Sequence, residues 1–175
     1  GLSKVYEIKQ IGVERLKVPA DKKDQIIEAL KHNPQVKYAE VNYIAKAQDF
    51  PNDSEYTAGR EWHINQIAAP QAWDISTGSL SAVVAVLDTG ATNVADLAGK
   101  LLTGFNYWNS TTDTTDDSTS SHGTAVSGVI GTLTNNSLGV ASVCRLCPLL
   151  PLKVLGSSGT GDYGTITKGV IYAAD

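Results

Sequence analysis

Two residues in the middle of the chain have types and surroundings that suit acid–base chemistry. Asp88 begins the run Asp-Thr-Gly directly after a short apolar segment, and His122 begins the run His-Gly-Thr directly after a polar one. Taken singly, each fits a structural role, the aspartate in a turn and the histidine at the start of a helix. An aspartate beside a histidine, however, fixes the imidazole tautomer and stabilises the imidazolium that proton transfer creates. The pair therefore predicts two of the three members of a catalytic triad.

The elements around this pair are expected to place both residues at one edge of a sheet. The nearly continuous apolar run 81–87 predicts a strand buried on both faces, which ends at Asp88. Open α/β sheets bind their ligands outside the carboxyl ends of such strands. Residues 109–121 form a polar loop with nothing to bury. A helix is expected over residues 122–133, and its amino-terminal dipole would favour a neutral His122.

Beyond that helix the pattern of the first strand returns. Residues 149–155 predict a second apolar strand, residues 156–164 a glycine-rich loop, and the last residues a helix. Strand, helix, strand, helix is the order of an α/β protein with a parallel sheet. The sequence thus predicts an α/β domain over residues 61–175.

The first part of the chain has a different composition. Up to residue 49 it is rich in Lys and Glu and contains only two glycines. Its patterns predict strands over residues 5–11 and 14–18, then a helix with Asp21 at the N-cap, then a strand over residues 36–44. This order indicates a small α+β unit over residues 1–47.

Composition also narrows the classes of partner. The net charge of −4 over 175 residues gives no electrostatic case for a nucleic acid or a membrane surface. No apolar run approaches the roughly 20 residues of a membrane span. Between the two predicted units, residues 48–60 are turn-rich and are expected to form an exposed linker.

The second part of the chain carries seven short motifs in order. They are Ala69-Pro-Gln-Ala-Trp-Asp, Val84-Ala-Val-Leu-Asp-Thr-Gly, Asp96-Leu-Ala-Gly-Lys, His122-Gly-Thr, Asn135-Asn-Ser-Leu-Gly-Val, Leu152-Lys-Val-Leu-Gly and Ile171-Tyr-Ala-Ala-Asp. This set resembles the subtilase family of serine peptidases, its thermitase-like members most closely, over roughly residues 50–175. The resemblance implies a truncated subtilisin-like three-layer parallel sheet and the hydrolysis of peptide bonds in polypeptide substrates.

The resemblance also assigns roles to residues. It implies that Asp88 orients His122, which acts as general base and then general acid for an attacking serine. It implies that a bound peptide adds a strand to a cleft segment that includes Leu155, Gly159, Thr160, Gly161 and Tyr163, the last walling one pocket. The alternative for that segment is an ordinary strand end and loop. The family's serine segment and oxyanion asparagine are not among these 175 residues, so this chain is expected to be inactive, with the serine beyond Asp175.

A structural calcium ion is a further implication of the resemblance. The implied ligands are Asp53, Asp96, Leu133, Asn136, Leu138 and Val140. The alternative is a helix end at Asn135 and Asn136 with Gly139 in a turn.

Cys144 and Cys147 form a single Cys-x-x-Cys motif. With no second pair, a structural zinc site is disfavoured. A short local disulfide in an exported protein is the preferred interpretation, and two free buried thiols are the alternative.

The run Asn33-Pro-Gln-Val-Lys-Tyr-Ala-Glu in the first unit resembles the carboxyl-terminal part of the propeptide that precedes subtilase catalytic domains. It implies a ferredoxin-like α+β unit that acts as intramolecular chaperone and inhibitor until cleavage, here within residues 45–50. It also implies a secreted protein. The alternative is an unrelated accessory domain.

Two other functions compete with a serine peptidase. Asp-Thr-Gly after an apolar strand also occurs in aspartic proteases, but that class needs an all-β surround and gives His122 no role. A pseudoprotease or a propeptide-type protease inhibitor would bind without cutting. The downstream sequence separates these functions, because a Gly-Thr-Ser segment there supports an enzyme.

Overall fold

The first of two structural units is a two-stranded sheet followed by a helix. The computed structural model describes residues 2–44 and 50–175 and divides the chain into Gly1–Lys46 and Ala47–Asp175. In the first unit, strands β1 (Ser3–Ile8) and β2 (Val13–Lys17) pair antiparallel, and helix α1 (Lys23–Lys31) follows a 3₁₀ turn. None of the described residues of this unit is buried.

Two local predictions for the first unit are wrong. Asp21 lies inside the 3₁₀ turn, and Lys22 occupies the N-cap of α1 without a side-chain cap. Residues 36–44 form no strand, and Tyr43 and Ile44 are 83% and 86% exposed. An alternating pattern becomes a strand only where a neighbouring strand pairs with its backbone groups, and no described strand pairs with these residues.

The second unit is built around a parallel sheet of three strands. They are β3 (Val84–Asp88), β4 (Phe105–Asn106) and β5 (Leu149–Lys153), in the order β3-β5-β4. The predicted α/β fold with a parallel sheet is therefore confirmed. The sequence did not predict β4, because two residues are too few to show a period.

Two helices pack against β3 in this unit. They are α5 (His122–Gly131) and α6 (Tyr163–Ala174). Helix α5 comes close to the sheet at Gly131, where an added Cβ would lie 2.9 Å from Cδ2 of Leu149. Within the described residues, no helix has the length and apolar character needed to cross a membrane.

Three short helices precede the sheet. They are α2 (Ser54–Thr57), α3 (Trp62–Gln66) and α4 (Ala69–Trp73). Ile64, Ala69 and Trp73 form a small apolar cluster of their own. Residues 50–60 of the expected linker are mostly exposed, but they contain α2 and bury Pro51 and Asp53.

Candidate active site

Asp88 and His122 are in direct contact in the folded chain. Nδ1 of His122 lies 2.8 Å from Oδ1 of Asp88, although the residues are 34 positions apart. The packing of α5 on β3 closes that separation, because Asp88 ends the strand and His122 begins the helix. An ionised carboxylate can only accept, so Nδ1 carries the donated proton and Nε2 is the basic nitrogen. The pair is arranged for proton transfer at Nε2.

The two side chains differ in their access to solvent. The Asp88 side chain is 11% exposed and the His122 side chain 62%. The backbone N–H of Thr89 also donates to Asp88 Oδ1, at 2.7 Å. The hydrogen bond to Asp88, and then the charge of Asp88, raise the pKa of His122 above its ordinary value. A buried acceptor thus holds an accessible acid–base group.

Hydroxyl groups from other segments fix the start of α5. The N-cap residue Ser121 has φ 48° and makes no side-chain cap. Instead, Oγ of Ser118 accepts the backbone N–H of His122 at 3.1 Å, and Oγ1 of Thr89 accepts that of Gly123 at 3.0 Å. The first turn of the helix is therefore docked onto the turn that follows Asp88.

Asp116 is the centre of this network. Its Oδ1 accepts from the hydroxyls of Ser118 and Thr89, at 2.7 and 2.9 Å, and its Oδ2 accepts from the N–H and hydroxyl of Thr124, both at 2.9 Å. Burial alone would raise the pKa of this carboxyl, but the hydrogen bonds from Ser118 and Thr124 outweigh it and lower the pKa of Asp116 to about 2. Asp116 thus joins the turn after Asp88 to the start of α5.

The expectation that residues 109–121 bury nothing is wrong. Asp116 and Ser118 are each only 9% exposed. Sequence reasoning missed them because the loop contains several Asp, Ser and Thr residues without a period. Their spacing of six and four residues before His122 is the one signal that could have indicated them.

A cavity of about 230 Å³ opens beside the imidazole of His122. Its lining consists of Thr89, Thr119, Ser120, His122, Leu155, Ser157, Ser158 and Gly159. Of the five residues expected to line a substrate cleft, Leu155 and Gly159 are part of this lining. The cavity therefore lies where a reacting group could meet His122.

The other three expected cleft residues lie outside that lining. Thr160 accepts the N–H of Gly156 through its backbone carbonyl at 2.9 Å, which closes a tight turn. Gly161 approaches Leu155 so closely that an added Cβ would lie 2.9 Å from Cδ2 of Leu155. Tyr163 begins α6 with 90% of its surface exposed.

The residues expected to bind calcium meet at one loop. Asp96 accepts from the Asn136 amide at 2.8 Å and from the Val140 N–H at 3.0 Å through its carboxylate, and from the Leu133 N–H at 2.8 Å through its carbonyl. Oδ1 of Asn136 accepts the N–H of Leu138 at 2.9 Å. The structure thus brings Asp96 and four loop residues together.

Asp53 reaches the same loop and leaves one oxygen without a partner. Its Oδ2 accepts the N–H of Asn135 at 2.9 Å, whereas its buried Oδ1 has no hydrogen bond within the described structure. A buried carboxylate oxygen without a donor is costly, and a cation would remove that cost. No three His, Cys, Asp or Glu residues of the described chain cluster as metal ligands. A calcium ion here would therefore take carbonyl oxygens as well, a ligand set that calcium accepts.

Cys144 and Cys147 are joined in a disulfide. Gly78 packs against this bond, with an added Cβ 3.1 Å from Sγ of Cys147, and the N–H of Leu146 donates to Thr77 at 3.0 Å. The four-residue loop therefore holds the segment that leads into β3.

The parallel sheet, with Asp88 and His122 in contact at its carboxyl edge, makes this chain an α/β protein with a candidate acid–base site. Comparison with known protein families identifies the family. Residues 80–175, more than half of the chain, match the subtilase family, and the chain belongs to it. Residues 1–42 match the fervidolysin N-terminal prodomain.

Individual relatives agree with this assignment. Thermitase of Thermoactinomyces vulgaris is 40% identical over 126 residues, which are 71% of this chain and 44% of that protein. A thermophilic serine proteinase of Bacillus sp. (strain AK1) is 35% identical over 91 residues, 51% of this chain and 22% of that protein. A solved protease of Pseudoalteromonas arctica is 33% identical, with a TM-score of 0.65, over 71% of this chain and 44% of its own. The chain thus spans less than half the length of these relatives.

Proposed function

We propose that the protein is a serine endopeptidase in which Asp88 and His122 are two members of an Asp-His-Ser triad. The observation that carries the proposal is the 2.8 Å contact between Nδ1 of the exposed imidazole and the carboxylate of Asp88. Membership of the subtilase family supports it. The serine would come from the part of the protein beyond Asp175.

In this mechanism the basic Nε2 of His122 takes the proton of the serine hydroxyl as the oxygen attacks the peptide carbonyl. The imidazolium that forms carries its charge next to Asp88, which stabilises it. His122 then gives the proton to the leaving amine, which leaves an acyl group on the serine. In the second half of the reaction His122 takes a proton from water as the water attacks this acyl group, and it returns the proton to the serine oxygen. The raised pKa of His122 means that the group is active as a base only above that pKa.

The substrate would be a polypeptide held in extended form beside His122. Leu155 and Gly159, which line the cavity, support this position. In the proposal the peptide adds a strand along residues 159–161, so that Thr160 and Gly161 contact it through their backbone, and Tyr163 walls a pocket. The exposure of Tyr163 leaves its ring free to contact a substrate side chain.

The first unit would act as the intramolecular chaperone and inhibitor of the catalytic domain. The match of residues 1–42 to the fervidolysin prodomain supports this role. Cleavage would fall within residues 45–50, of which residues 45–49 lie outside the described residues. Secretion is proposed because relatives from Dichelobacter nodosus and Xanthomonas campestris are named extracellular proteases.

Calcium would bind as a structural ion beside the loop that follows α5. The orphaned Oδ1 of Asp53 supports this site, and the further ligands would be Asp96, Leu133, Asn136, Leu138 and Val140. The ion would place positive charge beside the buried carboxylates of Asp53 and Asp96, and it would hold the loop against the segment that carries Asp53.

The proposal is tested on a longer protein that includes the downstream sequence. We expect that protein to hydrolyse casein and to react with a fluorophosphonate probe, whereas the 175-residue chain does neither. His122→Ala should reduce hydrolysis by several orders of magnitude. His32→Ala, at an exposed histidine of the first unit, is the control and should leave hydrolysis unchanged. Binding of a second protease with no hydrolysis by the longer protein would instead support the inhibitor function.

A further inference from the structure

Lys153 is a fully buried cation next to the acid–base pair. It is 1% exposed and ends β5, where the parallel register sets it opposite Asp88. Lysine is almost never fully buried without a partner, because an unpaired ammonium group loses its hydration. The partners of Lys153 therefore indicate why a charge is kept in the sheet.

The two hydrogen-bond partners of Lys153 lie in the segments that carry Asp88 and His122. Nζ of Lys153 donates to the backbone carbonyl of Thr89, the residue after Asp88. It also donates to Oδ1 of Asp117 at 2.7 Å, in the loop that leads into His122. One ammonium group thus bridges the segment that carries the aspartate and the segment that carries the histidine.

We infer that Lys153 is a positioning residue for the Asp88–His122 pair, which it holds in hydrogen-bonding distance by tying the turn after Asp88 to the loop before His122. Its bearing on catalysis rests on the function proposed above. The negative groups that face this region are Asp88, Asp113, Asp116 and Asp117, so a neutral residue at position 153 would also leave their charges less balanced.

A second buried lysine, Lys100, provides the control for Lys153. Lys100 is 8% exposed and donates to the carbonyl of Arg145 at 2.9 Å. Burial lowers the pKa of Lys100. It has no hydrogen bond to the segments that carry Asp88 and His122 in the described structure. Lys100→Met therefore removes a buried charge without touching the bridge.

The test uses the sign of a pKa change in the 175-residue chain, measured by proton NMR titration of His122. If Lys153 acted only as a nearby positive charge, Lys153→Met would raise the pKa of His122. The positioning role gives the opposite result, a lowered pKa, together with loss of the low-field signal of the Nδ1 proton that Asp88 accepts. Lys100→Met should change neither. A raised pKa with the Nδ1 signal retained would overturn the inference.

Asp117 supplies a second variant if Lys153→Met does not fold. Its side chain is 56% exposed, so Asp117→Ala removes the group that accepts from Lys153 without burying a new polar group. Asp113→Ala removes an equal, exposed charge from the same loop and is the matched control. Loss of the Nδ1 signal in Asp117→Ala alone supports the bridge, and identical spectra of the two variants overturn it. Neither measurement uses peptide hydrolysis, so failure of the proposed activity remains distinguishable.

Discussion

Gly123 lies against Asp88 with no room for a side chain between them. A Cβ added to Gly123 would lie 3.1 Å from Oδ1 of Asp88 and would collide with the carbonyl oxygen of Gly90. The second residue of α5 must therefore be glycine for His122 to reach its partner. This contact explains why the run His-Gly-Thr, and not histidine alone, accompanies the site.

Gly123→Ala should accordingly destabilise the chain and separate the pair. Because backbone atoms would have to move, we expect a loss of about 1–3 kcal/mol in the free energy of unfolding. Gly128→Ala in the same helix is the control, since its added Cβ meets Thr132 and Val140 only at 3.8 Å. That variant should gain up to about 1 kcal/mol from helix propensity. Urea denaturation measures both, and equal behaviour of the two variants would contradict the close approach.

Asp88→Asn should lower the pKa of His122, because it removes the charged acceptor that raises it. A raised folded-state pKa stabilises the fold fully below the ordinary value of 6.5, and the contribution is lost as the pH rises through the folded-state pKa. The difference in stability between the wild type and Asp88→Asn should therefore shrink from acid to alkaline pH. NMR titration and urea denaturation at several pH values measure the two effects. His32, in the other unit, serves as the internal reference, and an unmoved His122 titration would refute the coupling.

Asp116→Asn should weaken the start of α5. Both oxygens of its carboxylate accept hydrogen bonds, from Ser118 and from Thr124. In asparagine one of these oxygens is replaced by an NH₂ group, which is itself a donor and cannot accept. We expect a cost of about 1–3 kcal/mol in the free energy of unfolding near neutral pH. Because the pKa is lowered from 3.8 to about 2, the carboxylate contributes fully above about pH 4, and this contribution is lost as the pH falls through about 2.

Acid unfolding followed by circular dichroism checks this prediction. The wild type should lose stability over that interval more steeply than Asp116→Asn. Asp113→Asn, an exposed carboxylate in the same loop, is the control. A cost as small for Asp116→Asn as for Asp113→Asn would contradict the role of the network.

Calcium should raise the melting temperature of the chain, and a chelator should reverse the change. At a free calcium concentration of 100 times Kd, binding to the folded state alone adds about 2.7 kcal/mol of stability. Asp53→Asn should remove most of that gain, because Oδ1 of Asp53 is the orphaned oxygen. Asp74→Asn removes an exposed charge from the same unit and should keep the gain. A melting temperature that does not respond to calcium would exclude the site.

Much of the parallel sheet could be predicted from the sequence. The runs that became β3 and β5 are apolar without alternation, a pattern typical of parallel strands. The structure buries most of β5, whereas in β3 only Val86 and Asp88 are buried. The α5 helix begins at His122, as expected, because its pattern is local. The prediction of strands failed in two places because pairing between segments is not visible in a local pattern. Strand β4 is too short to show a period, and the alternating residues 36–44 pair with no strand in the described structure.

Motifs such as Asp-Thr-Gly and His-Gly-Thr are contiguous and can be recognised without a fold, so the sequence alone indicated the family and predicted that Asp88 pairs with His122. The groups that hold the two residues together became visible only in the folded chain. Asp116 and Lys153 belong to no pattern along the chain, and their hydrogen bonds join segments 27 to 64 residues apart in the contacts with Thr89. Such charges are stable inside the protein only when folding brings their partners to them, so their roles depend on packing and not on local sequence.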